Sequence, residues 1–219
     1  MTVVKICGIT ELEHGLAAID AGASYLGFVF YPPSSRLIDP LSAADLITTL
    51  RRARPAGWQA VGVFVNEPLA LVELIRRVCA LDVVQLNGEE EQSYVKSLGA
   101  PAFKSVRYGT IREASTLRVT TGADRVLLDA NVAGQYGGTG VTYDWSGIKE
   151  VVVDGFLAGG LTPENVAAAI EAARPWGVDV SSGVEREGVK DPDLIREFIA
   201  AVRVADAVAS DRKPVAVAP

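Results

Sequence analysis

Short apolar runs rich in β-branched residues alternate with helix-spaced segments eight times along this chain, and that rhythm leaves few folds open to it. The strand-like runs cover residues 3–9, 25–30, 59–65, 83–86, 102–106, 125–129, 155–158 and 178–181. Most are continuously apolar rather than alternating, as expected of parallel strands covered on both faces. Helical spacing fills residues 11–21, 43–53, 70–79, 90–98, 111–120, 143–150, 163–173 and 192–204. Eight strand–helix units predict an α/β protein with a single (β/α)8 TIM barrel domain over residues 1–204. A doubly wound open sheet is the alternative, although six strands are more usual there. Residues 205–219 are expected to form a flexible C-terminal tail, because the last ten mix charge with two prolines.

Local signals agree with this division. Ser42, Asn66 and Thr162 stand where side-chain oxygens can cap helix amides, and Pro68 and Pro163 sit near first turns. Gly22 and Gly99 follow helical runs, where a left-handed terminus favours glycine.

Composition narrows the function. The net charge is −6 and no run of Lys and Arg exceeds two residues, which argues against nucleic acid as a partner. No apolar stretch approaches the roughly 20 residues that span a bilayer, so no membrane partner is expected. The first residues enter a strand without a basic and then apolar leader, which predicts a cytoplasmic protein. Cys7 and Cys79 lack metal-ligand spacing and read as free thiols, with Cys79 closing a helix as packing. Any Ser-His-Asp or histidine-rich metal chemistry would depend on His14 alone, expected at the surface or half-buried in the first helix. The oligomeric expectation is a monomer or a homodimer.

A barrel gathers its chemistry at the carboxyl ends of its strands. In strand order those exits supply Cys7, Arg36, Asn66, Asn87, Arg107, Asp129, Gly159-Gly160, and Asp179 with Ser181-Ser182-Gly183. The glycine and serine loops follow strands seven and eight, the usual barrel site for a phosphate held by backbone amides. Arg36, on a proline-stiffened loop, either grips a carboxylate or phosphate with two parallel hydrogen bonds or pairs with an acidic neighbour. Cys7 is either a small buried apolar residue or a thiolate. Asp129 ends a buried strand ahead of the glycine-rich residues 134–140, and is either a loop cap or a proton donor. A thiol and a carboxyl on strands one and six would face each other across the mouth. That arrangement suits the isomerisation of a phosphorylated sugar between aldose-like and ketose-like forms.

Several motifs occur together and in order: Lys5-Ile6-Cys7-Gly8-Ile9-Thr10, Gly27-Phe28-Val29-Phe30-Tyr31, Ser35-Arg36, Leu127-Leu128-Asp129, Leu157-Ala158-Gly159-Gly160 and Asp179-Val180-Ser181-Ser182-Gly183-Val184-Glu185. Through them the chain resembles the phosphoribosylanthranilate isomerases of tryptophan biosynthesis, from strand one to the last helix. The resemblance implies an Amadori rearrangement without metal or other cofactor, with Asp129 as general acid and Cys7 as general base. It gives Arg36 the anthranilate carboxylate. Gly159, Gly160, Ser181, Ser182 and Gly183 receive the phosphate, and Asp179 the sugar hydroxyls or the amine. One departure stands out: Asn87 occupies the family's usual histidine position, and an amide cannot take up a proton. The related histidine-pathway isomerase would need aspartates on strands one and five, where this chain has Cys7 and residues 104–107. A catalytically silent barrel that senses phosphorylated metabolites is the alternative from another class.

Overall fold

The computed structural model describes residues 1–107, 121–129 and 154–211. The helical segments expected at 111–120 and 143–150, and the glycine-rich residues 134–140, lie outside the described residues. Eight parallel strands close into a barrel in sequence order: β1 (Val3–Cys7), β2 (Tyr25–Val29), β3 (Gln59–Phe64), β4 (Val83–Leu86), β5 (Ala102–Arg107), β6 (Arg125–Asp129), β7 (Phe156–Leu157) and β8 (Gly177–Val180). Closure comes from β1 against β8, with Val3 opposite Gly177 and Lys5 opposite Asp179. A two-stranded antiparallel ribbon follows, β9 (Glu185–Arg186) and β10 (Val189–Lys190).

The described helices are α1 (Leu12–Ala21), α2 (Pro40–Ala53), α3 (Leu69–Val78), α4 (Gln92–Lys96), α5 (Val166–Ala173) and α6 (Pro192–Asp211). The cap expectations fare unevenly. Gly22 ends α1 in the left-handed region at φ 103°, with its N–H bonded to Ala18 and Ile19 carbonyls. Asp39 caps α2 instead of Ser42, accepting from the Leu41 and Ser42 amides, with Pro40 in the first turn. Asn66 turns its Oδ1 to the Glu89 amide, and Asn165, not Thr162, begins α5.

Two shells of side chains result. Outside the sheet, residues such as Val4, Ile6, Phe28 and Leu128 pack against the helices. Inside, the lower barrel is plugged by Tyr25, Phe103, Phe156 and Trp176, with neighbouring rings 5.0–6.4 Å apart. Nearer the mouth the filling is smaller: Cys7, Val29 and Val63. The taper leaves an open upper chamber above a packed base.

Two expectations need correction. His14 is buried, because its helix turns that face toward the barrel. The last helix does not stop at Val204 but continues to Asp211. Its extra turns are tied down: the Asp206 carboxylate accepts from Thr2 N at 2.8 and 3.0 Å, and Arg203 donates to the Thr2 and Gly22 carbonyls.

Gly155, just before β7, has no room for a side chain, since a methyl there would lie 2.5 Å from the Val126 carbonyl oxygen. Backbone cannot yield as a flexible side chain can. Gly155→Ala should therefore cost about 1–3 kcal/mol of stability, measured by chemical denaturation.

Candidate active site

Period-two alternation along β1 turns Val3, Lys5 and Cys7 toward the barrel interior, and Cys7 reaches the cavity at the mouth. The same cavity is lined by Asp129 from β6, Asp179 from β8, Arg36 from the loop after β2, and the Gly159-Gly160 and Ser181-Ser182-Gly183 loops. The nine residues to which the resemblance gave a role thus meet at one opening, whereas Asn66, another strand-exit residue, is not among those that line it. Asn87 and Gln85 line it from β4 and the loop that follows, joined by Gln85 Nε2 donating to Asn87 Oδ1 at 2.9 Å.

The loops after β7 and β8 are shaped by backbone that a larger residue would resist. Gly159 and Gly160 take φ values of 89° and 64°. A methyl on Gly183 would stand 1.8 Å from the Leu161 carbonyl oxygen, so the two loops pack backbone to backbone. Asn165 braces the first of them, donating to the Gly160 carbonyl and accepting from the Thr162 amide, each at 2.8 Å. Ser181 Oγ donates to the Cys7 carbonyl at 3.0 Å, fastening the second loop to the end of β1.

Arg36 shows the second of its two sequence readings, a pairing with an acidic neighbour. Its Nε and Nη2 each donate to Glu185 at 2.7 Å, a bidentate pair. Guanidinium carries five donors, so this pairing fixes the plane of the group and leaves other N–H bonds to meet a ligand. Glu185 also accepts from Lys190, whose Nζ reaches the Ser181 carbonyl at 3.2 Å. A chain of contacts thus runs from Arg36 through Glu185 and Lys190 to the serine loop. Burial works against the Glu185 charge, but Arg36 and Lys190 outweigh it and hold the carboxyl below its usual range.

Lys5 completes the polar interior. It is fully buried, and its Nζ donates to Asp179 at 2.8 Å. Burial pushes the Cys7 thiol up, and the Lys5 ammonium is the strongest influence against that. Cys79 differs: it sits at the end of α3, donates to the Pro40 carbonyl, and burial pushes its thiol up to about 11.

The contributions of Lys5, Glu185 and Lys190 were not singled out from sequence. Lys5 left a signal, a lysine inside the otherwise apolar run Val3-Val4-Lys5-Ile6. A charge in a strand covered on both faces must find a partner. Glu185 and Lys190 lie in a short polar ribbon that carries no such signal.

Because the folded state lowers the Glu185 proton affinity, the ionised carboxylate stabilises the protein above the ordinary value of 4.5 and that stabilisation fades as pH falls through the depressed range. Glu185→Gln should be destabilised near neutral pH. The gap from wild type should close progressively below about pH 4.5, as read from denaturation midpoints across pH.

Comparison with known proteins places this geometry. The family model described as N-(5'phosphoribosyl)anthranilate (PRA) isomerase matches residues 4–201. The N-(5'-phosphoribosyl)anthranilate isomerase of Roseiflexus sp. (strain RS-1) is 45% identical over 213 residues, covering 94% of this chain and 99% of that protein. The phosphoribosyl anthranilate isomerase structure from Thermotoga maritima is 37% identical with a TM-score of 0.81, over 93% of this chain and 100% of that one. A further isomerase structure, in complex with reduced 1-(o-carboxyphenylamino)-1-deoxyribulose 5-phosphate, is 35% identical with a TM-score of 0.77, over 93% and 100% of the two chains. With a family match across nearly the whole barrel and its mouth, this chain belongs to the N-(5'-phosphoribosyl)anthranilate isomerase family.

Proposed function

We propose that this protein converts N-(5'-phosphoribosyl)anthranilate to 1-(2-carboxyphenylamino)-1-deoxyribulose 5-phosphate in the cytoplasm, as a step of L-tryptophan biosynthesis. The observation that carries the reading is that Cys7 and Asp129, from non-adjacent strands, open on one cavity in a chain of this family. Asp129 protonates the furanose ring oxygen as the C1–O bond breaks, while the anthranilate nitrogen lone pair forms the Schiff base. Cys7, as thiolate, takes the proton from C2. The resulting enolamine gains a proton at C1 and gives up its C2 hydroxyl proton to reach the aminoketone. Acid and base are restored over the cycle, and neither works without the other.

The rest of the mouth orients the substrate. Arg36, held in plane by Glu185, meets the anthranilate carboxylate with its remaining donors. The Gly159-Gly160 and Ser181-Ser182-Gly183 loops take the phosphate through backbone amides. Asp179, anchored by Lys5, faces the sugar hydroxyls or the amine. Asn87, held by Gln85, adds a neutral hydrogen-bonding group where the family's usual histidine would stand.

Two variants test the assignment, with substrate consumption followed through its anthranilate fluorescence. Asp129→Asn should lower kcat by roughly 10² or more, the scale of losing a positioned acid. Near-normal turnover would remove Asp129 from the reaction. Cys7→Ser should keep substrate binding while losing turnover, because a hydroxyl is a far weaker base than a thiolate. Full activity would reduce Cys7 to a packing residue.

A further inference from the structure

The chemistry above needs a buried sulfur to carry negative charge, and burial alone opposes that. What surrounds the sulfur decides whether it can. From β1 comes Lys5, from the loop after β2 Arg36 and Tyr31, from β8 Asp179, from β9 and β10 Glu185 and Lys190, and across the cavity from β6 Asp129. Neighbouring Val63 on β3 is apolar. Three cations, Lys5, Arg36 and Lys190, each attract a charge on the sulfur. They share two carboxylates, Asp179 and Glu185. Arg36 and Lys190 are both ion-paired to Glu185, while Lys5 is ion-paired to Asp179 and hydrogen-bonds the thiol as well.

Lys5 is also the cation packed directly beside the sulfur. A methyl built on Gly27 would lie 2.8 Å from Cys7 Sγ and 3.2 Å from Lys5 Nζ, so both groups border the space that glycine leaves free. The register repeats this: Cys7 stands opposite Gly27 on β2, and Lys5 stands opposite Asp179 on β8. Lys5 has no face on solvent and does not line the cavity, so it cannot touch substrate.

We propose that Lys5 is a positioning residue for proton abstraction, its buried ammonium acting as the counter-charge that lets Cys7 exist as a thiolate. The proposal rests on Cys7 being the base. Among the described residues around the sulfur, Lys5, Arg36 and Lys190 share the carboxylates Asp179 and Glu185, and a thiolate adds a further anion that all three cations favour. Asp179 and a charged sulfur play the same part toward Lys5, each helping to keep it charged inside the barrel. Burial acts against that ammonium, and Asp179 together with the Cys7 sulfur more than offsets it, so Lys5 stays above the ordinary lysine range.

The test is the pH dependence of Cys7 alkylation by iodoacetamide in the full chain, with the modified peptide identified by mass to separate it from Cys79. Lys5→Met should raise the alkylation midpoint by one unit or more, so that the reactive fraction at a fixed lower pH falls at least ten-fold. The rising limb of kcat against pH should move the same way. Lys5→Arg, which keeps the charge, should stay within half a unit of wild type. Asp179→Asn should move the midpoint down, because it removes a carboxylate that opposes a charge on the sulfur and leaves the thiolate to hold the ammonium charged in its place. A folded Lys5→Met protein with an unchanged midpoint overturns the proposal. Should Lys5→Met fail to fold, Asp179→Asn decides alone, and an unchanged or raised midpoint overturns it. Alkylation does not depend on turnover, so an active Cys7→Ser enzyme would defeat the catalytic reading without being confused with this result.

Discussion

The seam between β1 and β8 sets Lys5 beside Asp179, and the interior of the upper barrel is arranged around that pair. An ammonium removed from water costs several kcal/mol unless a partner meets it with good geometry. Asp179 is that partner, and it comes from a strand that only ring closure brings alongside. The seam therefore does more than complete the hydrogen-bonded sheet. It makes a charged layer tolerable between the aromatic base of Tyr25, Phe103, Phe156 and Trp176 and the open mouth.

Above that layer the mouth is held by contacts that each serve two neighbours. Glu185 fixes the Arg36 guanidinium and also receives Lys190, which bonds the loop bearing Ser181. Ser181 in turn bonds the Cys7 carbonyl. Arg36, the Ser181 loop and the end of β1 that bears Cys7 are thereby coupled through side chains rather than through one rigid element. Such cross-bracing suits the proposed chemistry, in which an acid acts on the ring oxygen and a base on C2 of the same sugar.

The strands were legible because their cause is local: a strand covered on both faces must be apolar throughout, and 125–129 or 83–86 admit few other readings. The cavity residues were legible because barrel topology assigns strand exits to one face, so chain position alone predicted that Cys7, Asp129 and Asp179 would share an opening. What escaped depends on contacts distant in sequence. The extension of α6 to Asp211 rests on Asp206 meeting Thr2, 204 residues away. Arg36 finding Glu185 across 149 residues is likewise invisible to local pattern. Caps failed for a smaller reason, since Asp39 and Ser42 both offer an oxygen and Pro40 alone fixes which begins the helix.

The latch between Asp206 and the backbone at Thr2 bears on how this chain is made. A ribosome delivers β1 well before β8, so the earlier strand emerges with its β8 edge unpaired and its lysine without a counter-ion. Both wants are met only when β8 arrives, after which α6 clamps the backbone at Thr2. Closure of the ring thus waits for the last barrel strand, and the nascent chain is at its most adhesive until then.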